Sequence, residues 1–460
     1  MSPVTPRLLR AAGSGQDLGR TDEGTRVDRG RVDGGGGVGL SDLVRRGRRR
    51  RDATDHGGGD SISQGSAGDF TWRYRLYTHL KASDVTPDMV GVRRHLFDNV
   101  ADSQTGPDRM AYVHPFDQDH AAWWGQRAAD KVSQIQAEVQ ATQPHYLLLL
   151  MGINDVAADQ DPTAALKQVI RNARAAKPDV RIVLGTLVPT EIELQADRTD
   201  FRDLARAANF GIVDIRDTMS TTRSPIRLAF TRTDFDPALH TYDGVHPNSR
   251  GEVRIAAAFA DALAGFGVGT SYPRPLANPP LGPRTPPTLT SIPDGFNVDL
   301  SWSKVPGAMQ YQVYRRLVTT DPDAPWFPVT ALRHWNERSV SLPLHPGERS
   351  EYAVRPVKSF FGRDPGAWSN TRLHTTPAPT VSATGGANQL WLSWSSINHV
   401  QGYEIRKRVG QGEWELLWPT TSTSFHDFML PGGRRYDYQV RGYTQYGKGT
   451  WSSTASVWIP

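Results

Sequence analysis

The sequence predicts an α/β domain with a doubly wound parallel sheet, followed by two all-β sandwiches. Three observations predict it. Between residues 59 and 268, apolar strand-like runs alternate with amphipathic helical stretches. A proline-rich stretch follows, and beyond it the pattern switches to short alternating strands broken by turn residues. Within that last third, blocks of residues recur at a fixed offset, as expected of duplicated modules.

The elements are justified in chain order. Residues 1–58 hold almost no aromatic or β-branched side chains and include Gly34-Gly35-Gly36-Gly37, too little apolar surface to fold, so disorder is expected. Phe70 to Leu80 reads as a helix, with Trp72, Leu76 and Leu80 on one stripe. Ala122 to Thr142 reads as a second. His145 to Leu150 is a continuous apolar strand, the pattern of a parallel sheet covered on both faces. A helix over Thr163–Ala176, a strand over Val180–Leu187, a helix over about 200–208, a strand over Gly211–Ile215 and a last helix over Ser249–Ala264 complete the domain, 59–268. Residues 269–285, with Tyr272-Pro273 and Pro279-Pro280, read as an extended, semi-rigid linker.

The repeat assigns modules to 286–376 and 377–460. Leu300-Ser301-Trp302 recurs as Leu392-Ser393-Trp394, and Tyr311-Gln312-Val313 as Tyr403-Glu404-Ile405, both at an offset of about 92. Pro346-Gly347 with Tyr352 and Val354 recurs as Pro431-Gly432 with Tyr438 and Val440, and Trp368-Ser369 as Trp451-Ser452. One strand-borne Trp per module of this length suggests β-sandwiches. The modules resemble fibronectin type III modules, which lack disulfides and carry this Trp and Tyr on successive strands. Trp302 and Trp394 are expected in the cores. Trp326, Trp335, Trp414 and Trp418 lie outside the repeated pattern and are candidates for a binding face toward polysaccharide or a cell surface.

Composition narrows the function. A chain of 460 residues holds two to four domains, and no run approaches the length of a membrane span. With no cysteine, disulfides, thiolate catalysis and cysteine metal sites are excluded. The net charge of +5 is concentrated in residues 1–58, which hold about 12 Arg, no Lys and about 8 acidic residues. A nucleic-acid face needs its charge on the folded body, so no nucleic-acid partner is expected. The arginine run Arg45 to Arg51 reads as a nucleic-acid or membrane-surface arm, or as a solvated or non-native tail, the reading preferred here.

Three separated motifs carry the chemistry: Gly59-Asp60-Ser61-Ile62, Gly152-Ile153-Asn154-Asp155 and Asp243-Gly244-Val245-His246-Pro247. A serine hydroxyl is a weak nucleophile and needs a base; His246 offers one, with Asp243 three residues before it to hold the imidazole. Asn154 follows the apolar strand, and an amide there can donate to an oxyanion. Each motif alone is weak; together, each at a strand end, they are specific.

On these motifs, 59–268 resembles the SGNH (GDSL-type) hydrolases, esterases and lipases with a flavodoxin-like sheet. The resemblance implies Ser61 as nucleophile, Asn154 as oxyanion donor and His246 as base with Asp243 its partner. Asp117-Gln118-Asp119-His120-Ala121-Ala122-Trp123-Trp124-Gly125 resembles the second block of the acetyl-xylan-esterase-like branch, departing from it between His120 and Gly125. By that match the backbone N–H groups of Gly125 and Ser61 complete the oxyanion hole. Trp123 and Trp124 either wall the acyl or sugar site, or start the next helix and pack inward. The implied reaction is acyl transfer to water through an acyl-enzyme, with no cofactor. His114, Asp117, Asp119 and His120 match no common metal spacing, so no metal is expected.

The expected protein is an extracellular esterase acting on short acyl groups, acetyl on a small molecule or polysaccharide, its location inferred by analogy with secreted hydrolases that bear such modules. A lipase or acyl-thioester hydrolase of the same fold is the alternative enzyme. A non-catalytic polysaccharide-binding or surface protein is the alternative of a different class. One departure stands out. The serine turn should end a buried strand, yet Arg51 to Gly58 is polar and glycine-rich and is expected not to form one. A non-native start or frameshift over 1–58 is the preferred explanation, a degenerate protein the other.

Overall fold

A computed structural model describes residues 51–319 and 321–460, with the backbone alone described for 51–56. The arginine-rich stretch up to residue 50, and the expectation of disorder there, lie outside the described residues. The first domain begins with β1 (Arg51–Gly59), α1 (Ser61–Gln64), α2 (Trp72–Ala82), β2 (Val85–Val90) and β3 (Ala121–Ala122). It continues through α3 (Ala128–Val132), α4 (Ile135–Thr142), β4 (Tyr146–Leu150), α5 (Ile153–Ala157), α6 (Thr163–Ala176) and β5 (Arg181–Gly185). It ends with α7 (Thr199–Met219), β6 (Ile226–Ala229), α8 (Pro237–His240) and α9 (Ser249–Ala264).

The strands are all parallel, in the order β2-β1-β4-β5-β6, with β3 added beside the end of β1. This is the flavodoxin-like winding: the chain leaves β1 toward one edge for β2, then returns and builds toward the other through β4. The order reverses between β1 and β4, and open α/β sheets bind ligands outside the carboxyl ends of strands at such a point. Leu147, Leu148 and Leu149 of β4 are fully buried, each contributing roughly 1.5–3 kcal/mol by removal from water. Helices α2 and α9 pack together on one face, where Trp72 stacks on Phe259 at 4.6 Å. Helices α3, α4 and α7 pack around α6 on the other.

Three expectations are corrected. Arg51–Gly59 does run as a strand, in register with Val85–Val90 on one side and Tyr146–Leu150 on the other. A parallel ladder is built by main-chain N–H and C=O groups, and Gly57, Gly58 and Gly59 bring no side chain into the buried centre. The strand expected at Gly211–Ile215 is instead part of α7, whose buried stripe Phe201, Ala205, Ala208, Ile212 and Ile215 keeps helical spacing. The helix expected over 122–142 is two helices starting at Ala128, because Ala121-Ala122 pairs with Gly58-Gly59 and the chain then turns at Gly125, φ +75°.

Each C-terminal module is a two-sheet antiparallel sandwich, the architecture of fibronectin type III modules. In the first, Leu289–Asp294, Asn297–Trp302 and Ser339–Pro343 face a sheet centred on Gln310–Leu317 and Ser350–Val357. In the second, Val381–Gly386, Gln389–Trp394 and Ser424–Phe428 face one centred on Gly402–Val409 and Arg434–Thr444. Trp302 lies on Tyr311 and Trp394 on Tyr403, buried in both cores, and each tyrosine hydroxyl accepts a main-chain N–H at 2.8 Å. The linker is pinned rather than free: Tyr272 N–H donates to Asp261, Arg254 to Asn278, and Ala367 N–H to the Pro283 carbonyl. The first sandwich is thereby seated on the α/β domain.

Candidate active site

Ser61 is the first residue of α1, immediately beyond β1. Asp60 caps that helix, its Oδ1 accepting the Ile62 N–H at 3.0 Å. Gly59 is obligatory on steric grounds: a Cβ there would meet Ser63 Oγ at 2.3 Å and the Leu150 carbonyl at 2.6 Å. The turn therefore holds Ser61 against the switch point, with the residue 4% exposed.

The Asp243–Pro247 loop brings His246 beside Ser61. His246 Nε2 lies 3.0 Å from Ser61 Oγ, and its Nδ1 lies 2.7 Å from Asp243 Oδ2. Asp243 Oδ1 accepts the N–H groups of Val245 and His246 at 3.0 and 2.7 Å, so one carboxylate folds the turn and orients the ring. With Nδ1–H donating to Asp243, Nε2 is left to accept from the serine hydroxyl. Burial works against the charged imidazole, but Asp243, its hydrogen bond, Asp60 and Asp69 outweigh it and hold the His246 pKa above its usual value. Burial likewise works to raise Asp243, yet the attraction of His246 and the hydrogen bonds it accepts keep its pKa below the carboxylate norm. Asp60, buried beside them, is pushed up to about 7 by desolvation.

The other predicted residues gather on the opposite side of the serine. Asn154 sits in the first turn of α5, at the end of β4, and spends one amide N–H on the Gln126 carbonyl at 3.0 Å, leaving the second. Gly125 lies on the turn after β3, where Trp123 N–H is anchored to the Gly59 carbonyl at 3.0 Å. The main-chain N–H groups of Ser61 and Gly125 have no partner among the described residues. Trp123 and Trp124 do not start the next helix, and the two differ. Trp124 is sandwiched between Phe97 and His246, both at 4.3 Å and nearly parallel, while its N–H donates to Gln64 Oε1. Trp123 is more exposed, with the Arg93 guanidinium over its ring. A narrow space beside the serine is lined by Ser61, Asp69, Trp124, Tyr242, His246 and Glu252, among others.

Sequence reasoning missed the supports. Arg73, fully buried on α2, donates to the Ser63 and Gln64 carbonyls at the end of α1. Tyr242 lies parallel to His246 at 5.8 Å, and Asp69 and Glu252 border the same space. Nothing local marks these residues; the only signal was the closeness of Arg73 to the Trp72 stripe. The residues weighed as metal ligands have other contacts: His120 spans Ala122 N–H and the His95 carbonyl, Asp117 accepts Met89 N–H, Asp119 pairs with Arg94, and His114 packs on Phe70. Of the extra tryptophans, Trp326 packs on Trp368, Trp414 takes Arg406 and Arg408, Trp335 lies beside His334 and Trp418 is 89% exposed; no two of these four are in ring contact.

The chain is similar to known proteins in both its parts. Residues 59–254 match the model of the GDSL-like lipase/acylhydrolase family. A crystal structure of an acetyl esterase mutant with acetate ion is similar, at 24% identity and TM-score 0.39 over 46% of this chain and 97% of the other. A carbohydrate esterase family 3 from Talaromyces cellulolyticus has the same identity, coverage and TM-score. A two-domain fibronectin type III segment from chicken tenascin is similar over 38% of this chain and 99% of its own, at 15% identity and TM-score 0.23. No curated protein sequence matches the chain. Residues 59–254 thus form a GDSL-like lipase/acylhydrolase domain, a carboxylic ester hydrolase.

Proposed function

We propose that the protein is a serine esterase that hydrolyses short acyl esters, acetyl above all, through an acyl-enzyme. The observation that carries this reading is the unbroken chain from Ser61 Oγ through His246 to Asp243, at 3.0 and 2.7 Å. Ser61 Oγ attacks the ester carbonyl carbon as its proton passes to His246 Nε2, and Asp243 stabilises the imidazolium. The carbonyl oxygen becomes an oxyanion, to which the N–H groups of Ser61 and Gly125 and the remaining amide N–H of Asn154 donate. Collapse breaks the bond to the leaving alcohol, which takes the proton from His246. Water then repeats the sequence, losing a proton to His246, and releases the carboxylic acid.

The space beside the serine is narrow, closed in by Trp124, Tyr242 and Glu252, which favours a short acyl group over a fatty one. The reading extends to acetylated polysaccharide as substrate and to an extracellular location, by the analogy of modules appended to secreted hydrolases. The test is hydrolysis of p-nitrophenyl acetate by the full chain against Ser61→Ala. A loss of at least about 10³-fold is expected; equal rates would sink the proposal. Rates falling steeply from acetate to octanoate, and release of acetate from acetylated xylan, are the outcomes expected for the substrate class.

A further inference from the structure

We propose that the first β-sandwich is a working part of this site, and that its Lys358 is a positioning residue that acts on His246 through Asp69 and Tyr242. This rests on reading Ser61 and His246 as the reacting pair. Lys358 follows the strand Ser350–Val357 and is buried, 3% exposed, in the α/β domain's surface. Its Nζ donates to the Ala67 carbonyl at 2.6 Å, pairs with Asp69 Oδ1 at 2.8 Å and lies 5.3 Å from the centre of the Tyr242 ring. The second oxygen of Asp69 accepts from both the N–H and the hydroxyl of Ser66, at 2.8 and 2.9 Å. Ser66 Oγ in turn is 3.3 Å from the Tyr242 hydroxyl. Tyr242 lies parallel to His246 and its N–H donates to the His246 carbonyl at 3.0 Å.

The same module grips both halves of the reacting pair. Toward the serine loop, its Gly307 approaches so closely that a Cβ would meet the Ala67 carbonyl at 1.9 Å, and Asn99 donates to the Gly307 carbonyl. Toward the histidine loop, Arg363 pairs with Glu191, whose N–H donates to the Gly244 carbonyl at 2.7 Å. Asp364 receives Asn248, the cap of α9. A module tethered only for binding elsewhere would need none of these contacts. A single buried ammonium also balances Asp69, a carboxylate that otherwise acts on the imidazole alongside Asp60 and Asp243. Those three acids, with the Tyr242 hydroxyl and the nearby Glu252, are the titratable groups facing His246. Removing the lysine leaves the Asp69 charge unopposed, which favours the protonated imidazole.

The experiment titrates the His246 ring by NMR in the full chain, beside kcat and KM for p-nitrophenyl acetate. In Lys358→Met the His246 pKa is expected to rise by at least about half a unit, and kcat to fall about 10-fold with KM changed less than about 3-fold. In Asp69→Asn/Lys358→Met the pKa is expected to fall to or below the wild-type value while kcat stays reduced. A folded Lys358→Met with wild-type His246 pKa and kcat overturns the proposal. Should that variant not fold, the double variant decides alone, and a wild-type kcat and pKa in it overturns the proposal. The titration reads the coupling whether or not the chain hydrolyses esters, so a Ser61→Ala result that sinks the esterase reading leaves this outcome separately legible.

Discussion

Asp243 does two things with one carboxylate: Oδ2 receives the imidazole and Oδ1 receives two main-chain N–H groups of its own turn. Asn keeps an oxygen for the turn but presents an amide to the ring, so Asp243→Asn should preserve the loop and invert the tautomer. A fall in kcat of about 10²–10⁴-fold is expected, with the thermal midpoint little changed. The pH profile supplies an independent check. On the proposed mechanism His246 must be neutral to accept the serine proton; burial favours that form, but Asp243 outweighs it and holds the pKa above 6.5. The wild-type kcat/KM should therefore decline as pH falls, with a midpoint above 6.5. In Asp243→Asn that midpoint should move down. A wild-type acid limb below 6 would show that His246 is not the titrating base.

The β1–α1 junction shows what side chains leave unsaid. Helices α6 and α9 were legible to the residue, because each carries an apolar stripe and begins or ends at residues that suit it; Asn248, for example, caps α9 by accepting Arg250 and Gly251 N–H. Strand β1 was not legible, since strand signals are read from side chains and its buried end is three glycines; its place is set by β2 and β4 on either side. Gly211 misled in the other direction. Expected to open a strand, it is a helix-interior glycine, where a Cβ would strike Thr163 Oγ1 at 2.0 Å as α7 crosses the start of α6. Gly59 is the most exacting of these positions. Gly59→Ala drives a methyl against the Leu150 carbonyl, which β4 cannot move, and against Ser63. We expect at least a 10-fold loss of kcat and a thermal midpoint lowered by several degrees, the cost of overpacking being about 1–3 kcal/mol. Unchanged activity would mean that the serine turn is not held by this contact.

Motifs at strand ends made the Ser61, Asn154, Asp243 and His246 set readable, because the fold collects strand ends at one edge. Lys358, Asp69 and Glu252 were not readable, since they meet only where separate domains touch. That meeting has a consequence for the molecule's stability. Burial pushes the Glu252 carboxyl up to about 7, against the attraction of Arg75, and pushes Asp364 of the first sandwich up to about 7, against its hydrogen bond from Asn248. Both acids sit at the junction: Glu252 Oε1 accepts the Thr71 N–H at 2.7 Å on the α/β side, and Asp364 lies across the interface. A raised carboxyl pKa means that the folded chain binds protons the unfolded chain has released. The contribution is full below about pH 4 and is lost as pH rises toward 7 and through it. The full chain is therefore expected to lose stability between about pH 4 and 8 from this junction, on top of any other titration. Glu252→Gln keeps an oxygen for Thr71 and carries no titrating proton, so it should flatten that decline; Asp364→Asn should do the same from the sandwich side, and the two together should flatten it further. The measurement is the denaturation midpoint at pH 5 and pH 8 for the four proteins. Parallel slopes in all four would mean that the junction carboxyls are ionised in the folded molecule, and that the two domains do not share these protons.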